Sequence, residues 1–312
     1  MNFSVVVPLY NKALHIERAL KSILQQAIQD FEIIVVNDGS TDHGRDIVVA
    51  LGDERIRLID QSNQGVSVAR NRGIEAAKYE FVAFLDADDE WLPDYLQTIQ
   101  VLINNFPDCG AYATAIQTIR PNGQRYLPNL NKLQPEPWIG ILPNFFELFQ
   151  EGVIFHPSSI VVRRHVLIEV GGFPPGVVLL EDIACWVKIA IRYPIAFSPR
   201  RLVTYHQDAS NRSNRYKNLT EAAFVKTVHE AIANGLIPKE NQREARQFIA
   251  QKQIHTAIVN IMEGNSCYAR QILASCAATR KYRREWLWWR FWSSLPSGWP
   301  AKLLRLKQYI FR

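Results

Sequence analysis

The chain of 312 residues has little of what marks disulfide-rich, zinc-binding or membrane-spanning proteins. Its four cysteines form no C-x-x-C pair, which fits reduced thiols in a cytosol better than a disulfide framework or a zinc site. It has no uninterrupted apolar run of roughly eighteen residues, so we expect no membrane-spanning helix. The N-terminus has no basic region followed by a long apolar stretch, so we expect no signal peptide.

The main part of the chain is not basic, although the net charge of the whole chain is +6. Residues 280–312 hold nine of the 36 Lys and Arg residues and one of the 30 acids, so this segment carries +8. That leaves 27 basic and 29 acidic residues in 1–279, with a net charge of −2. The excess positive charge therefore lies in the tail, and we expect no nucleic-acid partner for the body of the chain.

Among the features that are present, an apolar run that ends in acids is the most informative. Phe81 to Leu85 is short enough for a strand buried on both faces, and Asp86, Asp88 and Asp89 follow it. Because burying unpaired charge is costly, the strand must end there, at a sheet edge where open α/β folds bind ligands. Two carboxylates one residue apart can share a divalent cation and a sugar hydroxyl. The alternative is that one of them caps the helix that starts near Pro93.

Strand and helix patterns alternate along the first part of the chain. Stretches at helical spacing separate the apolar runs, and Pro8 is expected to end the first strand. We predict an α/β fold with a doubly wound, mostly parallel, Rossmann-like sheet, followed by two or three helices over 219–279. The predicted strands are Phe3–Val7, Phe31–Val36, Ile56–Ile59, Phe81–Leu85, Ala111–Ile119, Phe155–Val162 and Ile195–Tyr205.

Five short segments occur in an order that resembles a known family. They are Ser4–Asn11, Val36–Asp42, Asn63–Gly65 with Ala69–Asn71, Asp86–Asp88, and Glu181–Asp182. In these segments the chain is similar to the family-two glycosyltransferases, which are inverting enzymes with the GT-A fold, over about residues 3–206. We therefore expect a GT-A catalytic domain over 1–210, a helical extension over 211–279, and a tail over 280–312.

The resemblance implies a nucleotide pocket at the ends of the first strands. Four consecutive residues would form the floor of this pocket: Pro8, Leu9, Tyr10 and Asn11. The ring of Tyr10 would lie against the nucleotide base, and Asp38 resembles the acid that hydrogen-bonds this base, typically uracil. Arg70 resembles a further nucleotide contact, with a surface ion pair as the alternative. Asn37 departs from the family, which often has an acid at this place.

The same resemblance implies a metal-assisted diphosphate site at the acid cluster. Asp86 resembles the ribose-binding acid, Ala87 lies between the two acids of this nucleotide-binding segment, and Asp88 resembles a ligand of Mn²⁺ or Mg²⁺. His206 is a candidate second metal ligand, and the alternative is a surface histidine with satisfied hydrogen bonds. Two arginines in the polar stretch that follows are candidates for clamping the diphosphate, Arg212 and Arg215.

Asp182 resembles the general base of the family. Transfer with inversion needs a carboxylate that takes the proton of the acceptor hydroxyl and is separate from the metal-binding acids. Glu181 is a candidate for orienting the acceptor, and the alternative is a first-turn acid that the helix dipole favours. Ala184 and Cys185 stand where larger polar residues are frequent in the family, which bears on the acceptor contacts and not on the base.

The tail combines basic and aromatic residues, with five of the eight tryptophans between 286 and 299. After Pro300, Lys and Arg side chains share one face of a predicted helix and apolar side chains the other. Such a segment, too short to span, suits the interface of an anionic membrane. The alternative is that its aromatic residues pack on the catalytic domain or form an oligomer contact.

Together these features predict an inverting, metal-dependent glycosyltransferase of the hexosyltransferase class. We expect a nucleotide-sugar donor, namely a UDP-sugar, and a glycan or lipid-linked acceptor in surface polysaccharide synthesis. The protein would work in the cytoplasm, peripherally at the inner face of the cell membrane. A sugar nucleotidyltransferase is one alternative, but it needs a Gly-rich, Lys-containing phosphate loop that Ser4–Asn11 lacks. A non-catalytic sugar-nucleotide-binding protein is the other, and Asp88 and Asp182 argue against it.

Overall fold

The computed structural model describes residues 1–177, 179–209, 219–276 and 279–295. The chain forms two compact units, Met1–Asn211 and Arg212–Arg312. In the described residues, the first unit contains all the strands and the second unit contains only helices. The catalytic, helical and tail segments predicted above remain a prediction about function, because the division into units concerns packing alone.

The strands of the first unit form one sheet. Its four longest strands have seven to twelve residues, whereas three strands have only two residues each. The strands are β1 (Phe3–Leu9), β2 (Phe31–Asp38), β3 (Ile56–Gln61), β4 (Phe81–Phe84), β5 (Glu90–Trp91), β6 (Ala111–Ile119), β7 (Arg125–Tyr126), β8 (Gly140–Ile141), β9 (Ile160–Arg163) and β10 (Ile195–His206).

Helices connect most of these strands and make up the second unit. In the first unit they are α1 (Ile16–Leu24), α2 (Gly44–Ala50), α3 (Val66–Ala76), α4 (Tyr95–Asn105), α5 (Phe145–Glu151), α6 (Arg164–Glu169) and α7 (Glu181–Arg192). In the second unit they are α8 (Phe224–Ala233), α9 (Gln242–Met262), α10 (Ser266–Ser275) and α11 (Arg283–Ser294).

The order of the strands in the sheet is β3-β2-β1-β4-β9-β6-β10-β5, with β7 beside β6 and β8 beside β10. The pairings among β3, β2, β1 and β4 are parallel, and so is the long pairing of β6 with β10. The predicted α/β fold with a mostly parallel sheet is therefore confirmed. The sequence patterns predicted a strand near β9 but not its direction, which is antiparallel to β4 and to β6 on either side.

The central strands are buried on both faces, which is why they read as continuous apolar runs. Every residue of β2 and β4 is buried, and in β1 only Pro8 is partly exposed. Helix α1 covers one side of the sheet with residues spaced three and four apart, and Ile16, Ala19, Leu20 and Ile23 are fully buried. The parallel strands thus bring their carboxyl ends to one edge of the sheet, where the acids lie.

Most of the predicted strands differ from the observed ones at one or both ends, and two of these differences have a clear structural reason. Pro8 does not end β1, which continues to Leu9. On the β4 side, β1 is paired only as far as Val6. At Pro8, β1 is paired with β2 alone, so the missing N–H of proline costs no ladder hydrogen bond on the other side. The strand predicted from Phe155 begins only at Ile160, because a 3₁₀ turn over Pro157–Ser159 precedes it.

The second unit has its own small core. Helices α9 and α10 bury Ile254, Ile261 and Leu273 against each other, and the partly buried Trp286 and Trp289 of α11 pack on this cluster. Three helices over 219–279 agree with the two or three that the sequence predicts. Among the described residues we find no helix long and apolar enough to traverse a bilayer.

Candidate active site

The loops after β1 and β2 lie side by side at the carboxyl edge of the sheet. Asn11, which has a left-handed backbone with φ of 50°, donates its N–H to Ser40 Oγ at 3.2 Å and accepts the N–H of Thr41 at 2.8 Å. Asp42 accepts the N–H of Ala13 at 2.8 Å. These bonds fix the predicted nucleotide segment against the loop after β2, and Tyr10 beside it is 44% exposed.

Asp38 is a buried acceptor for the loop that leads into α3. Its carboxylate accepts the backbone N–H groups of Gln64 and Gly65, both at 2.9 Å, and the side-chain amide of Gln61 at 2.7 Å. Three protein donors therefore hold this carboxylate. The predicted contact of Asp38 with a nucleotide base stays a prediction, and it would have to use the remaining acceptor capacity.

Asn37, the departure from the common family pattern, has a clear structural reason. Its side-chain nitrogen donates to Asp60 Oδ1 at 2.8 Å, and its side-chain oxygen accepts the N–H of Ser40 at 3.1 Å. An aspartate in this place would face the Asp60 carboxylate and would have no hydrogen to donate. The pKa of Asp60 is lowered, first by its hydrogen bond from Arg45 and then by the one from Asn37.

Arg70 is buried and joins two acids that are distant in sequence. Its guanidinium donates from Nη2 to Asp86 Oδ1 at 2.8 Å and from Nη1 to Glu181 Oε1 at 2.9 Å. The Arg70 side chain is only 3% exposed, so the predicted alternative of a surface ion pair is wrong: the pair exists, but it is buried. Burial lowers the pKa of Arg70, but the charges of Asp86 and Glu181 outweigh this effect and raise it, so the guanidinium stays charged.

Arg70 rests on the aromatic ring of Phe173, with the guanidinium carbon 5.1 Å from the ring centroid. The neighbouring Asn71 exchanges two hydrogen bonds with the backbone of Phe173, at 2.7 Å and 2.9 Å. A Cβ at Gly172 would lie 2.5 Å from the Asn71 side-chain oxygen, and φ is 59° at this glycine. Hydrogen bonds with Asn71 thereby hold the turn Gly171-Gly172-Phe173 against α3, next to the ion pairs of Arg70.

Asp182 lies in the first turn of α7, next to the Arg70 ion pairs. One of its oxygens accepts the N–H of Ile183 at 2.7 Å. Burial, followed by the charge of Glu181, raises the pKa of Asp182 to about 7, against the lowering effect of Arg70. A carboxyl group with a pKa near the working pH is suited to accepting a proton in catalysis. Ala184 and Cys185 are buried in the core, so their departure from the family pattern does not concern acceptor contacts.

The third acid after β4, Asp89, has a structural environment that the sequence did not reveal. It is fully buried, accepts the hydroxyl of Ser158 at 2.6 Å and accepts the N–H of His206 at 3.2 Å. Burial and the nearby charges of Asp88 and Asp86 raise its pKa well above the usual range. Asp89 thus ties the end of β10 and the turn before β9 to the acid cluster.

Asp88 has two cationic neighbours from the start of the chain. Lys12 Nζ lies 2.7 Å from Asp88 Oδ2, and Arg18 donates to the backbone oxygen of Asp88 at 2.6 Å. Sequence reasoning missed both residues, although a lysine directly after the predicted nucleotide segment was a usable sign. The carboxylate of Asp88 is 13% exposed, which leaves it within reach of a bound ligand.

The donor set suits a divalent cation that is shared with a diphosphate. The described residues contain no group of three or more His, Cys, Asp or Glu side chains that would enclose a metal ion. Mg²⁺ commonly binds through one or two carboxylates and completes its shell with substrate phosphates and water. The hard carboxylate of Asp88, which pairs with the ammonium group of Lys12, fits such a shared site. It does not fit a closed site made by protein side chains alone.

His206, the candidate second ligand, is buried at the end of β10, so the alternative of a surface histidine is wrong. Its Nε2 lies 3.3 Å from Glu90 Oε2, and its backbone N–H donates to the Asp89 carboxylate. Burial, and then the charge of Arg18, lowers its pKa, which favours the neutral imidazole that metal binding requires. Metal ligation by His206 stays a prediction. Two further candidates lie outside the described residues, Arg212 and Arg215.

Comparison with known proteins shows which family and which solved structures the chain resembles. The sequence profile of the family described as "Glycosyl transferase family 2" matches residues 4–171. The chain is 47% identical over 102 residues to an uncharacterised glycosyltransferase of Nostoc sp., covering 32% of each chain. It is 46% identical over 96 residues to the putative glycosyltransferase EpsH of Bacillus subtilis, covering 30% of this chain and 28% of EpsH. These matches span about a third of the length of each relative.

Longer matches are more distant. The chain is 28% identical over 225 residues to the uncharacterised protein MT1568 of Mycobacterium tuberculosis, covering 68% of this chain and 69% of the relative. The crystal structure of S. aureus TarS 1–349 in complex with UDP-GlcNAc is similar, with a TM-score of 0.67 and 19% identity over 94% of this chain and 88% of that one. This similarity confirms the predicted GT-A fold.

Proposed function

Because the chain belongs to glycosyl transferase family 2, we propose that it is an inverting glycosyltransferase that uses a UDP-sugar as donor. The acceptor is a glycan or lipid-linked glycan of a surface polysaccharide. The observation that carries the proposal is the buried connection Asp86–Arg70–Glu181, which sets a donor-side acid beside Asp182, whose pKa is about 7. TarS, which shares the fold, binds UDP-GlcNAc and UDP, and this supports a uridine nucleotide.

Asp182 is the general base in this proposal. Its ionised carboxylate takes the proton of the acceptor hydroxyl while the acceptor oxygen forms a bond to the anomeric carbon. The bond from this carbon to the donor diphosphate breaks on the opposite side, and the bonding electrons leave with the diphosphate, so the configuration inverts. Glu181 holds Arg70 through Oε1, so we assign it the role of positioning the α7 N-terminus and not that of a second base.

Asp88 is the proposed metal ligand, with His206 as a candidate second one. Mn²⁺ or Mg²⁺, when bound there, would neutralise the charge that develops on the leaving diphosphate. The chain itself contributes positive charge at the same place, through Lys12 and Arg18. The loops after β1 and β2 would bind the nucleotide, with Tyr10 against the base and Asp86 at the ribose.

The test is release of UDP from a panel of UDP-sugars with Mn²⁺ present, for the wild type and for Asp182→Asn. We expect donor binding to be kept and transfer to the acceptor to fall by about 10²- to 10⁴-fold, because Asn cannot take the proton. Asp46→Asn is the matched control, since Asp46 is also a first-turn helix acid but is exposed and outside the site. A chain that binds UDP but never transfers sugar would be a binding protein, and wild-type turnover by the Asn variant would place the base elsewhere.

We also propose that α11 docks the protein on an anionic membrane, at the inner face of the cell membrane. Leu287, Trp288 and Phe291 are at least half exposed and lie on one side of α11, next to Arg283 and Arg284 one turn earlier. Apolar side chains flanked by cations suit a surface of anionic headgroups. Trp286 and Trp289 face the cluster of α9 and α10, so only part of the aromatic segment is available for lipid. The basic residues after Pro300 lie outside the described residues.

Point substitutions test this better than deletion of 280–312, because deletion would strip two tryptophans from the core of the second unit. We expect the double variant Leu287→Ser with Phe291→Ser to pellet less with phosphatidylglycerol vesicles than the wild type. Leu236→Ser is the control, since Leu236 is equally exposed, at 52%, in the same unit. A wild-type chain that stays in the supernatant at low salt would exclude the membrane partner and favour a protein contact.

A further inference from the structure

Lys12 occupies an unusual position for a lysine, because its ammonium group is held inside the candidate site. Nζ lies 2.7 Å from Asp88 Oδ2, and both side chains are only 13% exposed. The backbone of Lys12 is fixed as well, since its carbonyl oxygen accepts the N–H groups of His15 and Ile16, both at 2.9 Å, where α1 begins. The loop therefore directs Lys12 at the acid that follows β4.

The oxygen that Lys12 contacts belongs to the carboxylate that we assign to the metal. The backbone oxygen of the same residue is occupied by Arg18, at 2.6 Å. An ammonium group and a divalent cation a few ångströms apart repel each other, and the partly buried position leaves little water to screen them. A metal at Asp88 is therefore opposed by the ammonium group as long as Lys12 stays on the carboxylate.

We propose that Lys12 is the resident counter-ion of Asp88 and competes with the divalent cation for this carboxylate. Lys12 thereby sets the metal concentration at which the donor diphosphate binds. A lysine suits this role because it is a compact point charge on a flexible four-carbon stem and can leave the acid without disturbing the fold. The inference rests on the proposed function, since it takes Asp88 as a ligand of the donor-site metal.

The experiment measures Mn²⁺ binding directly, by electron paramagnetic resonance of free Mn²⁺ in the presence of saturating UDP. Lys12→Met removes the charge and keeps the length of the side chain. We expect the Mn²⁺ concentration at half-saturation to fall by about threefold to tenfold, the range for loss of a competing ion pair of moderate strength. Lys12→Arg keeps the charge and can hold the acid with a two-pronged contact, so its midpoint should not fall below the wild-type value.

Lys21→Met is the matched control, because it removes the same charge from an exposed lysine of α1 that pairs with Glu17 one turn earlier. Its Mn²⁺ midpoint should equal that of the wild type. A midpoint in Lys12→Met that is unchanged or higher would overturn the inference, because it would mean that Lys12 does not oppose the metal. If the wild type itself shows no Mn²⁺ binding with UDP, the metal site of the proposed function fails, and this outcome is distinct from failure of the Lys12 inference.

Discussion

Replacement of Arg70 by methionine tests whether the buried ion pairs connect the donor side of the site to the base. Arg70 has a side-chain exposure of 3%, and its two partners, Asp86 and Glu181, are exposed by 27% and 13%. Removing one partner of a buried pair leaves uncompensated charge and typically costs 3–5 kcal/mol. Because both acids retain some contact with water, we expect the free energy of unfolding to fall by about 3 kcal/mol.

The same substitution should alter the pH dependence of transfer. Arg70 lowers the pKa of Asp182, which is nevertheless raised to about 7 by burial and by Glu181. Without Arg70 the pKa rises further, so the base is protonated over a wider range and transfer requires a higher pH. An opposite charge in the vicinity of a carboxyl commonly shifts its titration by a unit or more, so we expect the midpoint of the pH–rate profile to move upward by about one pH unit.

The assay is UDP release with acceptor between about pH 5.5 and 9, at saturating donor, with chemical denaturation to measure stability. Arg45→Met is the control, because Arg45 pairs with Asp60 on the surface at 47% exposure and should cost no more than about 1 kcal/mol. Arg70→Lys keeps the charge but loses the two-pronged geometry, so it should retain most of the wild-type midpoint and lose stability. A midpoint in Arg70→Met that stays in place or moves down would refute the electrostatic reasoning.

Three further predictions concern neighbouring residues. Asp88→Ala should abolish the Mn²⁺ dependence of UDP binding in calorimetry, and unchanged dependence would remove Asp88 from the metal site. Asp182→Asn should raise the free energy of unfolding by about 1–3 kcal/mol at pH 8, measured by denaturant unfolding. Near pH 4 it should have no such effect. The reason is that the folded pKa of Asp182, about 7, lies above the unfolded value of 3.8, so ionisation at higher pH costs stability in the wild type. Gly172→Ala should lower stability by about 1–3 kcal/mol, because the new Cβ meets Asn71 and the left-handed backbone disfavours alanine.

The parts of the fold that the sequence predicted are those whose signal is local. Strands β1, β2 and β4 are buried on both faces, so each is an apolar run that needs no partner to be recognised. Helix α1 shows its buried face as a helical spacing in the sequence. The antiparallel direction of β9 could not be predicted in this way, because a strand's direction depends on pairing partners that are distant in the chain.

For the candidate site, too, the residues with a local signal were predicted and those that depend on distant contacts were not. The acids at the strand ends were found because a charged residue directly after a buried run must lie at the sheet edge. Their partners were missed or misjudged, because Arg70 and Glu181 are 111 residues apart and Lys12 and Asp88 are 76 residues apart. A lone arginine in a helix pattern looks like a surface residue until the fold brings two carboxylates to it.

Arg70 and Lys12, the two cations that pair with carboxylates of the site, differ in a way that matches what their acids must do. Arg70 donates from two nitrogens at once, rests on Phe173 and is buried, so it is suited to staying in place while Asp86 and Asp182 act. Lys12 holds Asp88 through a single ammonium group, which can be exchanged for another cation. Guanidinium and ammonium groups differ in this respect, since the planar fork fixes geometry whereas the point charge on a flexible stem does not. If Asp88 is the acid that must accept and release a metal with every donor molecule, its partner has to be the lysine, and an arginine at position 12 would hold it too firmly.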